Sequence, residues 1–244
     1  MDVISRISCY GPTRMHVANE FITRRVGRKC IKVGDSVIDL GANEGFHTFD
    51  FTDIVGPEGL VHAFEPNPGL WKNFVEKPSV RLWPIAVGDE LSIQKFYIPE
   101  EQSYHQVGSI VDPRDFLGNV GMAISSVPQI PLDMIDELFK KPITFAKIDV
   151  ERRELFALRG MAKLLDAFNP TIVLENVNKE IQDFMASIGY DFFPLAACDK
   201  LDIFANSIAI HRNNKDNIDL IIPSETDLHE ILSWLEAQYP DDIK

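Results

Sequence analysis

The chain has 244 residues, 45% of them hydrophobic and 25% charged, with a formal net charge of −13. That balance excludes a disordered chain and leaves enough apolar residues for a core with a ligand pocket. The negative charge argues against nucleic acid or anionic membrane as a partner, because phosphate binding needs clustered cations.

In chain order, residues 1–34 read as an N-terminal helical extension with Val17, Phe21 and Ile22 on one face. The densest basic run, Arg24 to Lys32 with five basic residues in nine, reads as a solvated helix face. A main domain is expected over 35–210. It begins with a buried strand at Val37–Leu40, a turn at Gly41 to Gly45 and a helix at Phe46 to Val55, stopped by Gly56-Pro57-Glu58-Gly59. A second strand spans Leu60 to Phe64, residues 68–77 are read as helical, and a third strand covers Val80 to Val87 with Pro84 weakening it. This alternation is the pattern of a parallel sheet with helices on its faces.

From 88 to 131 the rhythm breaks into an inserted hairpin and loop region, with a strand at Ile93 to Ile98. Helices are then expected at Leu132 to Phe139, Glu151 to Phe168 and Glu180 to Ile188. Strands are expected at Ile143 to Ile148, Thr171 to Leu174, Asp191 to Leu195 and Asp202 to Ile210. Residues 211–244 form an acidic tail with one amphipathic helix around Leu228 to Leu235. Cys9, Cys30 and Cys198 are too dispersed for a disulfide framework or a CxxC metal site and read as free thiols. The N-terminus does not resemble a signal peptide and no apolar run has transmembrane length, which predicts a soluble, cytoplasmic protein.

The chemistry gathers at Asp39-Leu40-Gly41-Ala42-Asn43-Glu44-Gly45. A nucleotide-like ligand needs close backbone approach at a strand-to-helix turn, which a side chain at Gly41 would block. Asn43 stands where many such loops carry glycine, and asparagine tolerates a left-handed backbone. Gly45 lets the helix pack close to the strand. Glu65 ends the second strand 24 residues after Gly41, near the spacing at which a carboxylate grips ribose hydroxyls. Pro66 offers a flat apolar surface to a base. Glu44 would repel a pyrophosphate at the helix start, whereas a sulfonium cation tolerates the acidic Asp39 and Glu44. The loop therefore favours S-adenosylmethionine over NAD.

In these motifs the chain resembles the FkbM-type methyltransferases, a branch of the class I S-adenosylmethionine enzymes. The matching segments are Val37 to Gly45, Ala63-Phe64-Glu65-Pro66-Asn67-Pro68, Pro84 to Gly88, Pro131-Leu132-Asp133, Ala146 to Glu151, Leu158-Arg159-Gly160 and Val173-Leu174-Glu175. They run in the family's order over about residues 33–210. The resemblance implies a Rossmann-like α/β fold with a mostly parallel seven-stranded sheet, one strand antiparallel and helices on both faces. It also implies methyl transfer to a hydroxyl of a sugar or small-molecule metabolite, so the partner is a small-molecule or glycan acceptor. Cofactor contacts are expected from Asp39, Gly41, Ala42, Asn43, Gly45, Glu65, Pro66, Ala86 and Asp149. One departure is Arg152, where the family has glycine; it could crowd the acceptor pocket, contact an acidic substrate, or mark a weakened enzyme.

Lys147, Asp149, Glu151 and Glu175 fall at the C-terminal ends of two expected strands, where α/β sheets place ligands, and are the catalytic candidates. Asp149 is expected near the amino-acid part of the methyl donor, with Glu151 or Glu175 binding the acceptor or acting as base. Asp149, Glu175 and Asn176 could instead ligate a divalent cation, although strand-end carboxylates holding loop amides is the favoured reading. His47 is read as a surface or hydrogen-bonded histidine, and Trp71, Trp83 and Trp234 as packing residues. Tyr104, His105, Gln106 and Ser109 fit a lid or plain loop polarity equally. An NAD-linked oxidoreductase and a non-catalytic S-adenosylmethionine-binding protein remain as alternatives, and the oligomeric state is open.

Overall fold

A computed structural model describes residues 11–75, 77–101, 108–194 and 206–239. The chain divides into two compact units. One spans Ile31–Pro170; the other combines the residues up to Cys30 with those from Thr171 onward.

The second unit opens with helix α1 (Gly11–Cys30), which buries Ala18, Ile22 and Val26 at helical spacing. Arg28 and Lys29 in its last turn complement the negative end of the helix dipole.

In the Ile31–Pro170 unit, β1 (Ser36–Leu40) is buried along its whole length, as its apolar sequence predicts for a central parallel strand. Helix α2 (Phe46–Val55) returns the chain to β2 (Leu60–Phe64), and β3 (Val80–Trp83) follows. Pro84 then ends the strand, so the run expected over 80–87 splits. Its second half, β4 (Ala86–Val87), joins a separate sheet with β5 (Ser92–Pro99) and β6 (Met122–Ile130). That sheet has the order β4-β6-β5, and β5 and β6 form the expected inserted hairpin, paired from Ser92↔Gln129 to Pro99↔Met122. The short helix α3 (Arg114–Leu117) also lies in the insertion. Strand β7 (Ile143–Ile148) completes four parallel strands in the order β3-β2-β1-β7.

Helical expectations changed most. Among the described residues of 68–77 the helical stretch is a 3-10 turn at Trp71–Phe74, and the Asn67 side chain takes the Gly69 N–H at 3.0 Å in a local turn before it. Leu132 to Phe139 forms two 3-10 turns, Leu132–Met134 and Asp136–Phe139. The helix expected from Glu151 to Phe168 breaks into α4 (Glu154–Arg159) and α5 (Ala162–Phe168). The break sits at Gly160, where a Cβ would lie 1.9 Å from the Gly88 carbonyl oxygen. Asp133 then accepts the N–H groups of Lys163 and Leu164 at 3.0 and 3.1 Å, serving the start of α5. Three motif segments distant in sequence thus meet at one junction.

In the other unit, β8 (Thr171–Leu174) leads to α6 (Lys179–Ser187), capped by Asn178, and then to β9 (Tyr190–Pro194) and β10 (Ser207–His211). Strand β10 runs antiparallel to both β8 and β9. It is the single antiparallel member of a mostly parallel, seven-stranded sheet. Positions 195–205, where parts of the two last expected strands fall, lie outside the described residues. The tail carries α7 (Ile218–Ile221) and α8 (Glu225–Gln238), the latter opened by a capping box between Ser224 and Asp227. Among the described residues, no helix is long and apolar enough to cross a membrane.

Candidate active site

A cleft opens at the C-terminal ends of β1, β2 and β7. Its position is where parallel sheets bind ligands.

The first wall is the turn after β1. Gly41 has φ +73°, and a Cβ there would meet the Asp149 carbonyl oxygen at 1.8 Å. The N–H groups of Gly41 and Ala42 both donate to the Phe64 carbonyl at 3.0 Å, which ties the turn to the end of β2. Asn43 takes up the left-handed backbone at φ 51°. Its N–H donates to Glu65 Oε2 at 2.7 Å, while the Asn67 N–H donates to Oε1 at 2.7 Å. Glu65 therefore clamps the loops that follow β1 and β2. Burial pushes its carboxyl up to about 7, against the hydrogen bonds from Asn67 and Asn43.

Beneath the turn lies a buried charge relay. Asp39 is fully buried and accepts from Thr48 Oγ1 at 2.6 Å. Lys147, its neighbour in register on β7, places Nζ 3.6 Å from Asp39 Oδ1 and 3.1 Å from Asp149 Oδ2, and donates to the Gly41 carbonyl at 3.2 Å. A lysine paired with two carboxylates and a carbonyl is a satisfied buried cation, so these charges hold the turn's shape.

The second wall follows β7. Asp149, Val150, Glu151 and Arg153 all line the cleft. Glu151 and Arg152 have consecutive left-handed backbones, φ 51° and 71°, an uncommon state for non-glycine residues. Burial, then the charges of Asp149 and Glu154, push the Glu151 carboxyl up to about 8. Glu154, 2% exposed, is pushed by burial to about 7 and accepts the Arg152 N–H at 3.1 Å. The insertion closes the cleft with Phe96, Gly108, Ser109 and Ile110, and Ser109 Oγ donates to the Glu151 carbonyl at 3.2 Å.

The expected cofactor residues divide into two groups. Gly41, Asn43, Glu65, Pro66, Ala86 and Asp149 line the cleft. Asp39, Ala42 and Gly45 do not: Asp39 is in the relay, Ala42 packs with Ala63 and Phe74, and Gly45 starts α2. Of the catalytic candidates, Asp149 and Glu151 line the cleft and Lys147 lies under it. Glu175 follows β8 in the other unit, as does Asn176. Among the described residues no cluster of three or more His, Cys, Asp or Glu is suited to a metal.

Arg152 is exposed and is not one of the lining residues, whereas its neighbour Arg153 is. Sequence reasoning missed Arg153, and also Asn67, Phe96 and Ile85. Asn67 had a signal in its place beside Glu65-Pro66, and Ile85 in its place beside Ala86. Trp71, read as packing, donates Nε1–H to the Glu65 carbonyl at 2.8 Å. His47 is buried and stacks near Phe51. Tyr104, His105 and Gln106 lie outside the described residues.

The family model of the methyltransferase FkbM domain matches residues 39–238. Among solved structures, the chain is similar to methyltransferase FkbM from Methylobacillus flagellatus KT, at 14% identity and TM-score 0.48 over 72% of this chain. That match takes in 43% of the other chain, less than half its length. It is also similar to a SAM-dependent methyltransferase from Aquifex aeolicus, at 10% identity and TM-score 0.44, covering 86% of this chain and 98% of that one. A third similar structure is Aeropyrum pernix fibrillarin with natively bound S-adenosyl-L-methionine, at 11% identity and TM-score 0.44, covering 79% and 76%. No curated protein matches. The family model covers well over half of the chain, and with it the turn, the clamp and both walls of the cleft: the chain belongs to the methyltransferase FkbM domain family.

Proposed function

We propose that the protein is an S-adenosylmethionine-dependent methyltransferase that methylates a hydroxyl oxygen of a sugar or small-molecule metabolite. The observation that carries this reading is the Glu65 clamp beside Gly41. Each Glu65 oxygen accepts one backbone N–H, and a carboxylate has about four lone-pair sites, so capacity for a vicinal diol remains. Gly41 leaves room for the Asp149 carbonyl, which brings the ends of β1 and β7 together beside the clamp. Pro66 and the apolar Leu70, Ile85 and Phe64 supply a surface for a purine. These features fit the adenosyl group, and the acidic Asp149 suits the ammonium and sulfonium charges of the same ligand.

S-Adenosylmethionine supplies an activated methyl group on a sulfonium. The chain's own task is positioning, since an in-line displacement depends largely on alignment. A hydroxyl acceptor must also lose its proton, and Glu151 is the proposed base. With its carboxyl pushed up to about 8, its ionised form is a stronger base than an ordinary glutamate. The insertion residues Phe96 and Ile110 line that side with apolar side chains.

The test is to supply S-adenosylmethionine with a 13C-labelled methyl group and a panel of sugars and hydroxylated metabolites. Carbon NMR then reports where the label lands. An O-methyl resonance is expected; label found only on nitrogen or carbon would contradict the hydroxyl assignment.

A further inference from the structure

We infer that Arg153 is the carboxylate-binding residue of the cleft, holding its ligand through the guanidinium fork. The inference rests on the methyltransferase reading and adds a specificity element to the same site.

Arg153 is the one cationic side chain among the described residues that line the cleft. Its Cζ lies 3.6 Å from the centroid of the Phe156 ring, a cation–π contact that holds the guanidinium against an aromatic side chain. Its Nε is buried with no hydrogen-bond partner among the described residues. Buried donors are nearly always satisfied, and an unsatisfied one beside a cleft points to a ligand acceptor. The sequence around it, Glu151-Arg152-Arg153-Glu154, offers carboxylates on both sides. Among the described residues Arg153 nevertheless forms no ion pair.

The identity of the anion follows from charge and geometry. Guanidinium matches a planar carboxylate with two parallel N–H bonds. The acidic Asp149 lines the same cleft, so a doubly charged phosphate meets more repulsion there than a singly charged carboxylate. Two sources can present that carboxylate: the α-carboxylate of the methyl donor, or an acid group on the acceptor.

The experiment uses calorimetry on the full chain as wild type, Arg153→Met, Arg153→Lys and, as a control, the exposed Arg152→Met. Folding of each is checked by thermal melting. S-Adenosylhomocysteine and methylthioadenosine, which lacks the amino-acid part, are titrated first. Glucuronate and benzoate, against glucose and benzyl alcohol, are then titrated into the S-adenosylhomocysteine-loaded protein. If the donor's carboxylate is held, Arg153→Met weakens S-adenosylhomocysteine by about tenfold or more and leaves methylthioadenosine unchanged. If the acceptor's is held, S-adenosylhomocysteine binds both proteins equally, and a carboxylate probe binds the loaded wild type but not loaded Arg153→Met. In either case lysine recovers part of the loss, because it keeps the charge without the fork. Equal binding of every probe to folded wild type and Arg153→Met overturns the inference while leaving the cofactor site standing. Failure of wild type to bind S-adenosylhomocysteine overturns the underlying reading, and this inference with it.

Discussion

A Cβ on Gly41 would lie 1.8 Å from the carbonyl oxygen of Asp149, so the turn after β1 and the end of β7 touch backbone to backbone. The clash is with main chain, which cannot rotate away, and Gly41 also has φ +73°. Gly41→Ala should therefore cost about 3 kcal/mol of stability through combined strain and displacement. Urea unfolding checks this. A stability within experimental error of wild type would show that the two backbones can part freely.

Glu65→Gln replaces one of two acceptor oxygens with an amide that faces a backbone N–H. The fold should survive, since the substitution removes a buried charge. Affinity for S-adenosylhomocysteine should fall about 10- to 100-fold, the range for losing a charge-assisted hydrogen bond. In wild type, a diol bonded to the ionised carboxylate would lower its pKa from about 7, so binding near pH 7 should release protons. Titrations in buffers of different ionisation enthalpy measure that release, and Glu65→Gln should abolish it.

Stability should decline as pH rises from about 5 to 8. Glu65 and Glu154 are pushed by burial to about 7 and Glu151 to about 8, above the ordinary 4.5. Between these values the native state holds more protons than the unfolded chain, and stability then falls with rising pH. His62 opposes this below 6.5, because burial lowers it to about 4. Three raised carboxyls outweigh that single group. A further limit applies at acid pH. Asp227 is held at about 2, against burial, by Lys29 and Ser224, and its contribution is lost as pH falls from the ordinary 3.8 through 2. Melting temperature should thus be higher at pH 5 than at pH 8, with a shallower slope in Glu151→Gln.

Arg152→Gly should stabilise the protein by about 0.5–1 kcal/mol, the left-handed penalty less the backbone entropy of glycine. Arg152 has φ 71° and an exposed side chain. Methyl transfer should be unchanged, because Arg152 does not line the cleft. A large gain in turnover would show instead that arginine at this turn restrains the enzyme.

Much of the site could be read locally. Gly41, Asn43 and Glu65 announced themselves because a close backbone approach and a strand-end carboxylate leave short, spaced signatures. What escaped depended on distant partners. Asp39 looked like a ligand contact, yet its partner Lys147 lies 108 positions away and draws it under the turn. The helix expected from Glu151 to Phe168 has continuous helical periodicity, and only the Gly88 carbonyl packed on Gly160 shows why it breaks. Pro84 marked a weakened strand, but the exchange of β4 into a second sheet needed the pairing with β6. Arg153 was hidden by its neighbour: the missing glycine drew the eye to Arg152, and which of two adjacent arginines faces the cleft is set by backbone dihedrals that sequence does not display.

The most direct test of the account is calorimetric titration of the folded protein with S-adenosylhomocysteine, with NAD in parallel. Saturable binding of the adenosyl ligand, strongly weakened in Glu65→Gln and absent for NAD, is the predicted result. A folded protein that binds no adenosyl ligand, or that binds NAD in its place, would contradict the central claim.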